Sequence, residues 1–255
     1  MLPSITPNKK RGYILLSGFI WLFIWHLASK LIAKDFLLVS PLVVLQTLFL
    51  LIQETAFWST IFFSFMRIVS GFFLAILVGV VLALLSSRFT FIKFFLYPLT
   101  AVISATPIVS FIILALMWIP SRNLSLFISF LMVLPVIYNN TLQGILNTDK
   151  QLLEMAQVFH ISLWRQILYI YLPQIMPFFV SGCTVGLGLC WKSGIAAEVI
   201  GLPSGSIGER LYEAKIYLSS AELFSWTLVI ILISILFEKI LLYLLRKLSE
   251  RIVST

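Results

Sequence analysis

Charge is what this sequence has least of. Charged residues fill 11% of the 255 positions and apolar residues 60%, where a soluble globular domain runs nearer a quarter and a half. Such a chain cannot cover itself with polar surface, which excludes a water-soluble globular fold. Cysteine and histidine number two each. Cys183 and Cys190 stand seven apart on one expected helix, roughly 10 Å between Cα atoms, too far for a disulfide. No redox compartment and no metal site follows from them. The apolar runs hold no paired carboxylates, histidine cluster or activated nucleophile, so a membrane-embedded enzyme has no candidate centre. No GxxxxGK[ST] loop occurs, so the chain is not expected to hydrolyse ATP itself. Internal repeats and coupling-ion sites of a secondary transporter are missing too.

Long apolar runs are abundant. They recur at Tyr13 to Ala33, Phe57 to Leu85, Phe94 to Ile119, Leu124 to Ile145, Leu172 to Ala197 and Ala221 to Leu244, each long enough to cross about 30 Å of hydrocarbon. The expected fold is an all-α membrane protein, one bundle of six transmembrane helices. The net charge of +8 is distributed, not clustered. An inside N-terminus puts Lys9, Lys10, Arg11, Arg88, Lys93, Lys150, Arg165, Arg246, Lys247 and Arg251 on the cytoplasmic side. Lys30, Lys34, Arg122, Arg210 and Lys215 fall outside. That bias places both termini in the cytoplasm and leaves no basic cluster for nucleic acid. The first apolar run outlasts the h-region of a signal peptide and reads as a retained helix.

The stretch from Asp35 to Trp58 is apolar enough to pass for a further crossing, but making it one would abolish the charge bias. It reads as an outer interfacial or re-entrant helix, about 36–56, opening at Ser40-Pro41, a favourable N-cap and first-turn pair. Small residues recur every fourth position at Gly71, Ala75, Gly79 and Ala83, and Gly182 and Gly186 have GxxxG spacing. Both stripes allow close helix approach, either within one copy or between two. Pro98 and Pro107 interrupt the third run, Pro135 the fourth, and Pro173 and Pro177 the fifth, each removing an intrahelical hydrogen bond.

One polar, mixed-charge segment, EMAQVFHISLWRQILYIYLP from Glu154 to Pro173, divides the fourth and fifth runs. Thr148 to Gln151 fits a capping box, with Thr148 as N-cap. Leu152, Met155, Ala156 and Phe159 then share a face, too short an apolar stripe to hold a helix alone in water. A second short helix, Ser162 to Tyr169, is available to pack on it. Lipid headgroups or a soluble partner with a groove would each satisfy that face.

The segment resembles the EAA loop of permease subunits of binding-protein-dependent ABC importers. Glu154, Met155 and Ala156 stand for the triplet, His160 for the glycine, and Ile170, Leu172 and Pro173 for the close at the family spacing. Ser40-Pro41, Arg67 and Gly71 in FMRIVSGFF, Pro98, Pro107, AAEVIGLPSGSIG and Glu238-Lys239 extend the likeness over most of the chain, toward the nitrate/sulfonate/taurine branch. The resemblance implies the type I importer fold. Residues 1–12 would be a cytoplasmic N-terminus and 13–255 a single transmembrane permease domain, with a coupling loop at about 147–171 and an outer loop at about 199–220. It also implies a bacterial inner-membrane location, a homodimer around the translocation path, two cytoplasmic ATPase subunits and an external solute-binding protein. ATP and Mg would bind those partners, with no cofactor in this chain. Glu154, Met155, Ala156, Phe159, His160, Ile161 and Ser162, with Pro173, would carry ATPase coupling.

Two departures stand out. Met155 adds bulk where the family has alanine, and His160 replaces glycine at a bend where a left-handed backbone suits glycine best. For the path itself Lys192, Trp191, Glu198 and Arg67 are candidates. Lys192 would favour anions if it faces the cavity, and a pair with Glu198 would need a break at Gly194. Arg67, near the outer end of the second run, reads first as a snorkelling anchor. Sulfonate, nitrate, a taurine-like anion and a vitamin-precursor heterocycle all stay open as solutes, and the competing class is a secondary transporter or channel working without an ATPase.

Overall fold

A computed structural model describes residues 7–32 and 37–253; Lys34 and the side chains of Lys9, Lys10, Arg11 and Arg251 lie outside the described residues. Eleven α-helices follow one another, with no strand among the described residues: α1 Pro7–Ile32, α2 Pro41–Ile52, α3 Thr55–Arg88, α4 Thr90–Ala105, α5 Ile108–Ala115, α6 Ser121–Leu146, α7 Lys150–Val158, α8 Leu163–Gln166, α9 Leu172–Gly201, α10 Ile207–Ile216 and α11 Ser220–Val253. A π-helical segment, Ile167–Tyr171, joins α8 to α9.

Among the described residues four helices are long and apolar enough to cross a membrane: α3, α6, the continuous run Leu163–Gly201, and α11 over Ser220–Glu250. The third expected span is not a straight crossing. It is broken into α4 and α5, which meet at 104°, because Pro107 supplies no N–H and drives Thr106 into extended backbone (ψ 134°). Pro98 and Pro135 are carried inside α4 and α6 without a break. The described apolar part of α1, Leu16–Ile32, and α2 are shorter. At the start of α2 the Ser40 hydroxyl accepts from the Val43 N–H, with Pro41 in the first turn.

Residue contacts divide the chain into two compact units, Met1–Trp58 with Arg210–Val229, and Ser59–Glu209 with Ile230–Thr255. In the first, Trp25 donates from its indole N–H to the Val39 carbonyl at 3.0 Å, the Ser225 hydroxyl donates to Val44 O at 3.0 Å, and Phe57 stacks obliquely on Trp226. The second is built on α6 and α9, with α3 against both. Here the small residues decide the geometry. A Cβ on Gly79 would lie 3.0 Å from Ile137, one on Gly182 2.9 Å from Asn140 and one on Gly186 3.1 Å from Val133, and Gly71 abuts the Leu126 carbonyl. Ala75 is fully buried. Both small-residue stripes are therefore spent on α6 of the same chain. Cys183 and Cys190 are buried and free.

Candidate functional site

The mid-chain loop opens with α7, and its cap differs from the expected one. Asp149, not Thr148, is the N-cap, its carboxylate accepting from the Gln151 N–H at 2.8 Å. The Thr148 hydroxyl instead donates back to Gly144 O at 3.3 Å, finishing α6. An aspartate one residue further on outcompetes threonine because it adds charge at the helix N-terminus. At the other end His160 takes φ 50°. Its N–H donates to Gln157 O and that of Ile161 to Ala156 O, at 3.1 and 2.9 Å, the paired bonds of a left-handed helix stop.

Past that stop, Ser162 to Tyr169 does not form a separate helix folding back. Four α-helical residues pass into the π segment, where the Leu172 N–H reaches Ile167 O, and on into α9. Pro173 explains the widening, since it has no N–H for the Tyr169 carbonyl and its ring would crowd that carbonyl in a regular turn.

The shared face is divided. Ala156 is completely buried, whereas Met155 is 42% and Phe159 72% exposed. Leu152, Val158, Leu163 and Trp164 are exposed as well, so α7 and the turn after it present uncovered apolar side chains. Glu154, His160 and Ser162 are also exposed; Ile161 and Pro173 are half-buried.

The path candidates separate. Lys192 is exposed on α9, in register with exposed Ser181, Thr184, Val185 and Gly188, a stripe of threefold and fourfold spacings along one side. Trp191 is 4% exposed, its indole N–H unpartnered, and it packs with Phe65 and Phe237. α9 runs unbroken through Gly194, so Lys192 and Glu198 do not meet. Glu198 is fully buried and serves other groups: its Oε2 accepts from the Ser64 hydroxyl at 2.7 Å and the Gly208 N–H at 3.3 Å. Ser64 Oγ in turn accepts from the Ile207 N–H at 2.9 Å. Together they cap α10 and tie it to the end of α9. Arg67 is half-buried, its guanidinium over the Phe63 ring at 3.7 Å and its Nε donating to Arg122 O.

The sequence reading missed Ser206 and Ser64. Ser206 and Glu209 have capping-box spacing, and the Ser206 hydroxyl accepts from the Glu209 N–H at 3.0 Å; that spacing was the signal. Ser64, a lone hydroxyl in an apolar run, offered none.

Residues 71–254 match the family of binding-protein-dependent transport system inner membrane components. The chain belongs to this family. Among its relatives, a protein named as an aliphatic sulfonates transport permease, SsuC of Bacillus subtilis, is 25% identical over 96% of this chain and 90% of its own length. The nitrate import permease NrtB of Synechococcus elongatus is 27% identical over 76% of this chain and 73% of its own. The taurine transport permease TauC of Escherichia coli is 22% identical over 88% and 84%. The protein is thus an ABC transporter permease, and with its long apolar helices a multi-pass component of the bacterial plasma membrane.

Proposed function

We propose that the chain is the membrane-spanning subunit of an ATP-driven importer. Six crossings, with α1 and the bent α4–α5 pair completing the four long helices and both termini in the cytoplasm, make one half of a homodimer. The observation that carries this reading is the uncovered apolar edge of α7, Met155 and Phe159 above all, at the position of the family's EAA loop. An exposed apolar edge on a nine-residue helix between two spans suits a groove on a water-soluble partner. That partner is an ABC ATPase, one for each copy, holding the ATP and Mg. Ala156 seats α7 from behind and does not touch the partner.

The solute path runs along the Ser181, Thr184, Gly188 and Lys192 stripe of α9. An ammonium is expensive against hydrocarbon, and a stripe shared with a second copy around a water-filled path spares that cost. Lys192 carries no salt bridge among the described residues, so the path favours an anionic solute, of the kind that SsuC, NrtB and TauC are named for, handed over by an external solute-binding protein.

The test is purification of the tagged permease together with its ATPase, with MgATP-dependent uptake in liposomes. Met155→Asp with Phe159→Asp places two charges in the proposed groove, and both ATPase retention and uptake are expected to fall by about tenfold or more, each desolvated charge costing above about 1 kcal/mol. Uptake by the purified permease without ATP would overturn the reading in favour of a self-sufficient transporter.

A further inference from the structure

Where α3 and α6 end and α7 and α9 begin there is a cavity of about 730 Å³. Its walls are mostly hydrocarbon, with Val80 and Leu84 from α3, Leu153 from α7 and Ile175 from α9. Two cations, Arg88 and Lys150, also line it, both exposed and neither in a salt bridge among the described residues. The lining contains no carboxylate. Thr141 lines it too, 3% exposed, and its buried hydroxyl has no hydrogen-bond partner, which is uncommon for such a group.

These features define the occupant's chemistry. The volume is that of sites for drug-sized ligands, roughly 300–1,000 Å³, far more than a small oxyanion fills. Apolar walls call for hydrocarbon, the two cations for a negative headgroup, and the orphan hydroxyl for an acceptor such as an ester carbonyl. We propose that this cavity binds an anionic phospholipid from the leaflet on the α7 side, its acyl chain against Val80, Leu84 and Ile175 and its phosphate held by Arg88 and Lys150. The inference rests on the orientation under Proposed function, because the cytoplasmic leaflet is the one rich in anionic lipid. Since Lys150 and Leu153 belong to α7, a bound lipid braces the helix that faces the ATPase.

The experiment reads lipid directly. The purified, delipidated permease, with its ATPase, is titrated with phosphatidylglycerol or phosphatidylcholine and bound lipid is counted by native mass spectrometry. Wild type is expected to prefer phosphatidylglycerol, and Arg88→Gln with Lys150→Gln to lose that preference by about 30-fold, at about a factor of five to six per basic residue near the headgroups. Arg246→Gln with Lys247→Gln, two exposed cations elsewhere on the same side, keeps it. Equal retention of both lipids by wild type overturns the proposal. So does an undiminished preference in the Arg88/Lys150 variant, or displacement of phosphatidylglycerol by millimolar inorganic phosphate, which marks a free-anion site. A permease that binds its ATPase but fails these arms sinks this inference alone, whereas one that binds lipid as expected but never an ATPase sinks the functional reading.

Discussion

Glu198 shows how one side chain can be misjudged from its neighbours in the chain. Six residues from Lys192, it could pair only across a break at Gly194, and α9 has none: Lys192 points to the surface of α9 while Glu198 lies wholly inside, holding Ser64 and Gly208. A buried carboxylate that accepts from a hydroxyl and a backbone amide is a structural clamp, and its removal leaves both donors unsatisfied. Glu198→Ala is therefore expected to destabilise the purified protein by about 1–3 kcal/mol. Glu198→Gln, which keeps an acceptor oxygen, should lose much less. Thermal unfolding in detergent decides: a Glu198→Ala melting temperature equal to that of wild type would show that the clamp contributes nothing.

At the scale of helices the glycines of α9 make a contrast that propensity alone does not. A Cβ on Gly194 would stand 2.6 Å from both Ile68 and Ser129, whereas nothing lies within 4 Å of one on Gly188. Gly194→Ala should then cost about 1–3 kcal/mol by overpacking, and Gly188→Ala should be neutral or stabilising by up to about 1 kcal/mol. Melting of the two variants in parallel checks the sign of each. The elements legible from sequence were those whose signal is local: the Ser40-Pro41 start of α2, the long apolar helices, and the left-handed stop at His160. What stayed hidden depended on which of two neighbouring residues would prevail, or on packing. Thr148 and Asp149 competed for one cap, the ring of Pro173 fused two expected helices by way of a π turn, and Pro107 turned one expected crossing into a right-angled pair. Ala156 and Met155 looked alike by periodicity, and only packing placed one inside and the other out.

For the molecule as a whole, the stripe from Ser181 to Lys192 bears on assembly. If two copies face each other across it, Lys192→Cys should be joined to its counterpart by a bifunctional thiol reagent in membranes, giving a band at twice the chain mass on denaturing gels. The native thiols should stay silent, because Cys183 and Cys190 are buried. Failure to cross-link with reagents from short to long would remove the path from this face.

The continuous run from Leu163 to Gly201 has a mechanical consequence. At about 1.5 Å per residue its 39 residues form a rod of nearly 60 Å, rooted at one end beside the His160 turn and bolted at the other, through Glu198, to the first turn of α10. A tilt imposed at the turn would travel along one continuous element, through the π segment at Ile167–Tyr171, to the first turn of α10, so its two ends are linked without an intervening loop.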